Sequence, residues 1–207
     1  MNKVFENVKI GKNPIIEEYV IVGRPSQNES DGSLVTILGD DIVLRSHTVI
    51  YSGNVIGNCF QTGHGTLLRE GNKIGDNVTV GSNSVVEGYC KISDFVTIHS
   101  NCFLGEETVL EENAWIGPGC ITLLTPHPRC KFKKTCNKGP TVKRNAVVGA
   151  GVILLPGAIV GEGAMIGAGA IVCEDVPPNS VAVGSPARPT RRVEDIECKI
   201  GKYYERI

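Results

Sequence analysis

Residues 74–121 read IGDNVT VGSNSV VEGYCK ISDFVT IHSNCF LGEETV LEENAW IGPGCI. An aliphatic residue opens each block of six: Ile74, Val80, Val86, Ile92, Ile98, Leu104, Leu110 and Ile116. Four places on stands a smaller or branched residue: Val78, Ser84, Cys90, Val96, Cys102, Thr108, Ala114 and Cys120. A period of six matches neither the 3.6 residues of a helical turn nor the two-residue alternation of a strand. It matches a chain that makes three short flat faces per turn and stacks each turn on the last.

The rhythm extends outward from this stretch. Backward it keeps register through Leu68, Thr62, Ile56, Ile50 and Leu44 to Leu38, and an earlier set opens at Val4, Ile10 and Ile16. Forward it pauses after Ile121 and resumes at Val142 as VKRNAV VGAGVI LLPGAI VGEGAM IGAGAI VCEDVP. Three hexads make a coil of eighteen residues, so side chains eighteen apart should lie above one another. The predicted columns include Ile42, Phe60, Val78, Val96 and Ala114, and also Thr48, Thr66, Ser84, Cys102 and Cys120. Asn54 and Asn72, below Cys90 and Thr108, predict a short buried amide ladder. Counting hexads predicts an all-β solenoid of about seven to eight coils, with strands about 4.8 Å apart.

Glycine is abundant, at 25 residues, as tight corners require, and aromatic residues make up only 5%, as a thin triangular core requires. A formal net charge of −1 gives no electrostatic case for nucleic acid. No apolar run approaches the length of a membrane span and no secretory leader is present, so the reading is a cytoplasmic protein with no membrane partner. Eight cysteines suggest disulfides, but Cys90, Cys102 and Cys120 fall on the small inward positions and read as apolar fillers.

Three interruptions mark where chemistry is expected, because a solenoid takes insertions only as loops off its side. They are residues 24–37, residues 122–141 and the exit PPNSVAVGSPARP at 177–189. The domain is expected over residues 1–190, with loops 24–37 and 122–141. A C-terminal helical cap is expected over residues 191–207, where Val193, Ile196, Ile200 and Tyr203 or Tyr204 follow helical spacing.

The hexads, the long loop with His127-Pro128, the Gly-Ala-Gly pair and the ending DVPPNSVAVGSPAR resemble the hexapeptide-repeat acyltransferases. The last third is similar to galactoside and maltose acetyltransferases. Taken whole, the chain is most similar to the sugar N-acetyltransferases that modify nucleotide-linked amino sugars. The resemblance implies a left-handed parallel β-helix, a homotrimer with active sites between subunits, and acetyl-CoA as cosubstrate with no metal required. It also implies direct acetyl transfer to a small acceptor, the amino group of a nucleotide-linked amino sugar, with a histidine as general base.

Spacing places the coenzyme. Gly149-Ala150-Gly151 and Gly167-Ala168-Gly169 are eighteen apart and should stack on one corner, with Pro186-Ala187-Arg188 eighteen further. Such a ladder leaves backbone N–H and C=O groups accessible to a carrier that bears amides, and Arg188, Arg191 and Arg192 lie where phosphates would end. The resemblance implies coenzyme contacts at Ala150 and Ala168 and a nearby arginine at Arg188, while Cys173 stands where the sugar acetyltransferases often carry threonine.

The base has several candidates. A histidine suits removal of a proton from the attacking group. In the galactoside and maltose enzymes the catalytic histidine lies in a Gly-His-Pro stretch on the long loop, which the resemblance matches to His127 within Pro126-His127-Pro128. His64, within TGHGTLLRE, is an alternative base or acceptor contact; His99, on a flat face, is another; His47 is a corner residue. Arg69 and Glu70 are candidates for a phosphorylated acceptor, or else an exposed ion pair. His127, Cys130 and Cys136 would suit zinc but lack a clear fourth ligand. An O-acetyltransferase acting on a sugar hydroxyl and a non-catalytic β-helix scaffold are the other readings. A γ-class carbonic anhydrase is disfavoured, because no two histidines stand about five residues apart.

Overall fold

The computed structural model describes residues 1–27 and 34–197. The chain winds as a three-sided parallel β-solenoid. Face A carries nine strands, from Lys3–Val4 to Ile171–Val172; face B carries eight, from Val8–Ile10 to Ile159–Val160. Face C carries ten, from Ile15–Ile16 through Ser180–Val183, ending in the strand Arg188–Arg192, which pairs antiparallel. The register is the predicted one: Ile74 pairs with Ile56 and Ile92, and Ile98 with Val80 and Ile116.

Each hexad makes one strand and one corner. Its opening residue points inward, as does the small residue four places later; Val78, Val80, Leu104, Leu110 and Phe60 have no exposure at all. The residue before the small one turns left-handed, with φ of 57° at Asn77, 55° at Asn83 and 60° at Asn101. Asparagine tolerates that region better than most side chains, which is why it recurs there.

There are more rungs than the hexad count predicts. Strands also form at Val22, Thr122 and Ala182, which the pattern of openers passes over. Thr122 is polar yet 1% exposed, and its hydroxyl accepts the Gly105 N–H at 2.7 Å and meets Thr108 Oγ1 at 2.7 Å. A hydroxyl substitutes for an aliphatic group here because its bonds are satisfied inside the prism.

The amide ladder forms as expected. Asn54 Oδ1 accepts the Asn72 N–H at 3.1 Å, Asn72 Oδ1 accepts the Cys90 N–H at 2.8 Å, and both side-chain amides donate to the Arg69 carbonyl at 2.8 Å. Cys90, Cys102 and Cys120 are buried fillers, and burial pushes the Cys90 thiol up to about 12, so it is no nucleophile at neutral pH.

Both long connections, residues 25–35 and 123–140, run from face A to face B, so they leave from one edge of the prism, here called AB. Over the expected C-terminal cap, Arg191 and Arg192 end a strand and Val193–Asp195 form a single 3-10 turn; residues 198–207 lie outside the described residues. No helix among the described residues is long and apolar enough to cross a membrane.

Candidate functional site

The edge where face C turns into face A, here called CA, carries the predicted ladder. Gly151 N–H donates to the Pro118 carbonyl and Gly169 N–H to the Ala150 carbonyl, each at 2.8 Å, so Ala150 and Ala168 stand one above the other on a single edge. The glycines have two separate reasons. A Cβ at Gly149 would lie 2.7 Å from the Ala168 nitrogen, so close approach of coils demands glycine there. Gly151 and Gly169 are left-handed, with φ of 65° and 71°, and a Cβ on either would meet nothing within 4 Å. Asn83 and Asn101 occupy the same corner position lower on the edge, so the turn itself accepts a side chain. Along the exposed upper edge the chain therefore presents bare backbone with open space before it.

The third rung differs from the spacing argument. Ile166 pairs with Ala182, sixteen residues on, because the chain shortens the turn after Val172 and touches face B only through a bridge between Val160 and Val176. Beyond that strand the corner leaves the repeat: the Gly184 carbonyl accepts the Ile171 N–H at 3.0 Å, the place Ala170 takes on the rung below, so Pro186 does not continue the column of Ala150 and Ala168. Ala187 is buried and donates its N–H to the Ile171 carbonyl at 2.7 Å. Arg188 begins the last strand at the CA edge and bonds Glu174 at 3.3 Å, whereas Arg191 pairs with Val181 further across face C. Cys173 is exposed just past the end of face A, at the AB rather than the CA edge.

The histidines divide between edges. His127 is exposed on the loop that leaves the AB edge. Its carbonyl accepts the Cys130 N–H at 3.0 Å. Cys130 and Cys136 do not gather with it: Cys130 Sγ accepts the Phe132 N–H at 3.4 Å, Cys136 ends the short helix Lys133–Cys136, and no group of three possible metal ligands occurs among the described residues. His99 begins a CA corner, half-buried, with its ring 4.6 Å from that of Trp115. His47 stacks on Tyr19 at 5.1 Å.

His64 also stands on the CA edge. Its Nδ1 is 2.8 Å from Ser46 Oγ and 3.8 Å from Glu17 Oε2, and its backbone N–H donates to Ser82 Oγ at 3.0 Å. Glu17 accepts from Arg45 at 2.6 Å and from the Ser46 N–H at 2.9 Å. The Arg45 bond first, then the Ser46 amide, holds the Glu17 carboxyl below its ordinary range. Glu17 and Ser46 carried no signal in the hexad pattern; Ser46 lies below His64 in one column, and Glu17, from the neighbouring column under Arg45, reaches both only through its side chain.

Arg69 and Glu70 lie at the AB edge and are spent on each other, with bonds of 2.9 and 3.0 Å, and Glu87 stands 3.6 Å from Arg69. They form an ion pair, half-buried rather than exposed. Beside them, burial first and then Glu107, Glu87 and Glu70 raise the Glu106 carboxyl above its ordinary range. A raised acid is ionised at a cost at neutral pH. Glu106→Gln is therefore expected to stabilise the protein at pH 7 by about 0.5 kcal/mol after solvent screening, with the gain fading as pH falls through the carboxylate range. Thermal unfolding at several pH values checks this.

Comparisons with known proteins agree with the architecture. The bacterial transferase hexapeptide (six repeats) matches residues 139–174, which include both Gly-Ala-Gly corners. A Schizosaccharomyces pombe protein described as an acetyltransferase is 36% identical over 89 residues, taking in 40% of this chain and 42% of that protein. The fold is similar to that of the UDP-N-acetylglucosamine acyltransferase from Campylobacter jejuni, with TM-score 0.65 and 20% identity over 92% of this chain and 73% of that one. It is also similar to AntD, an N-acyltransferase from Bacillus cereus in complex with dTDP-4-amino-4,6-dideoxyglucose and coenzyme A, with TM-score 0.54 and 21% identity over 61% of this chain and 77% of that one. In its repeats, register and corners the chain is similar to the hexapeptide-repeat transferases, and the family match itself falls on residues 139–174.

Proposed function

We propose that this protein is an acetyl-CoA-dependent acetyltransferase that moves the acetyl group directly to the amino group of a nucleotide-linked amino sugar. The observation that carries the reading is the bare CA edge. Pro118, Ala150, Gly151, Ala168 and Gly169 are exposed on successive rungs, and Gly151 and Gly169 face open space. A pantetheine arm carries amides that pair with exposed backbone, and Arg188 at the top of the same edge suits its phosphates. Buried cysteines leave no thiol suited to an acyl-enzyme on this edge, which favours direct transfer.

The acceptor class follows the resemblance and is supported by AntD, whose structure holds an amino sugar on a nucleotide with coenzyme A. A homotrimer belongs to the same reading. Face A turns Leu67, Val85, Phe103, Ile121, Ile153 and Ile171 outward on successive rungs, an apolar strip that a second copy would cover. It borders both the CA ladder and the AB edge, so the loop with His127 reaches a ladder only across a subunit boundary.

The test is incubation with acetyl-CoA and a panel of nucleotide-linked amino sugars, their hydroxyl analogues alongside, following thiol release and product mass. An amide product and turnover with amino sugars only are expected. Release with the hydroxyl analogues alone would move the reaction to O-acetylation, and failure to bind acetyl-CoA would favour a scaffold.

A further inference from the structure

Below Pro118 the CA edge changes character. The middle corner position reads Ser46, His64, Ser82 and Ser100 where the upper rungs read Pro118, Ala150 and Ala168. One edge thus carries two chemistries end to end, a bare half and a hydroxyl- and imidazole-bearing half. His64 lies four rungs from Ala150, or about 19 Å at the usual strand spacing.

His64 differs from the other histidines in being exposed with one ring nitrogen held by a hydrogen bond. Its side chain is 64% exposed, yet Nδ1 is fixed between Ser46 Oγ and Glu17 Oε2, and Arg45 and the Ser46 amide fix Glu17 in turn. An imidazole engaged at Nδ1 presents Nε2 on the opposite side of the ring, and no described residue bonds it. A hydrogen bond at one ring nitrogen sets which nitrogen is basic, and a carboxylate beside it offsets the charge that protonation brings. His127 has no such fixing, His47 lies flat on Tyr19, and His99 packs against Trp115.

We infer that His64 is the general base of the transfer, with Ser46 and Glu17 as its positioning residues. The inference rests on the acetyl-transfer reading. With its proton on Nδ1 toward Ser46, His64 takes a proton from the acceptor amine at Nε2. The amine lone pair forms the C–N bond to the thioester carbonyl carbon, and the tetrahedral intermediate breaks its C–S bond. The departing sulfur takes the proton back from the imidazolium, so one amide and one free thiol leave and His64 is again neutral. His64 shares the CA edge with Ala150 and Ala168, so a carrier that follows this edge downward points its thioester toward the imidazole.

The test uses the full chain, acetyl-CoA and the amino sugar found active in the panel. His64→Ala is expected to lower turnover about a hundredfold, with acetyl-CoA binding by calorimetry unchanged within about twofold, and added imidazole is expected to restore part of the rate. Ser46→Ala and Glu17→Gln each lower kcat about fivefold, the worth of one net hydrogen bond, at constant KM. His127→Ala and His99→Ala stay within a few-fold of wild type. If His64→Ala fails to fold, His64→Gln carries the same test. Wild-type turnover in the His64 variant, or a hundredfold loss in the His127 variant instead, overturns the inference while leaving the acetyl-transfer reading intact. Absence of acetyl-CoA binding by the unaltered protein overturns both.

Discussion

Replacing Gly151 and Gly169 together by asparagine is expected to weaken acetyl-CoA binding at least a hundredfold, about 2.7 kcal/mol, while shifting Tm by no more than about 5 °C. Two observations make this pair informative. The left-handed corner tolerates asparagine, since Asn83 and Asn101 hold it at φ of 55° and 60° on the same edge. A Cβ at Gly151 or Gly169 meets no atom of the chain within 4 Å. The new side chains therefore enter only the space in front of the ladder. Isothermal calorimetry with acetyl-CoA and a thermal scan separate the two effects. Unaltered binding with an unaltered Tm would place the carrier on another edge and remove the basis of the proposed function.

Asn72→Ala is expected to cost about 3 kcal/mol, the combined loss of two buried hydrogen bonds and an abandoned donor. Asn72 has no exposure, its Nδ2 donates to the Arg69 carbonyl, and its Oδ1 accepts the Cys90 N–H. Alanine would leave that Cys90 amide buried without a partner. The Arg69 carbonyl would keep its bond from Asn54, so the loss concentrates on one donor. For a chain of this size the change corresponds to a Tm lower by about 6–12 °C. Denaturant unfolding measures it directly. An effect below about 1 kcal/mol would mean that water or a shifted backbone replaces the amide.

The fold was legible because its signal repeats. A single hexad says little, but in-register openers from Leu38 to Ile116 overdetermine the rung spacing and the inward columns. The rungs at Val22, Thr122 and Ala182 escaped because each sits beside an interruption, and Thr122 is polar besides. The offset at the last rung escaped for a related reason. Two residues missing from a turn leave no mark in composition, yet they pair Ile166 with Ala182 and take Pro186 out of the Ala168 column.

The candidate site was legible only where it follows the repeat. Eighteen-residue spacing aligned Ala150 with Ala168, because backbone hydrogen bonding between coils enforces that period. It could also have aligned Ser46 with His64, but a serine at a corner carries no chemical signal until the imidazole beside it is seen. Glu17 joins them from across the residues 25–35 connection, where the period is broken and sequence distance says nothing about height on the prism.

From the sequence alone came the solenoid, its register, the buried columns and the small-residue edge, all consequences of local periodicity repeated many times. Which edge each histidine occupies, the mutual engagement of Arg69 and Glu70, and the fixing of His64 by Ser46 and Glu17 came only with the tertiary structure. Those depend on where two insertions leave the prism and on side-chain contacts between coils, and neither is encoded in a six-residue period.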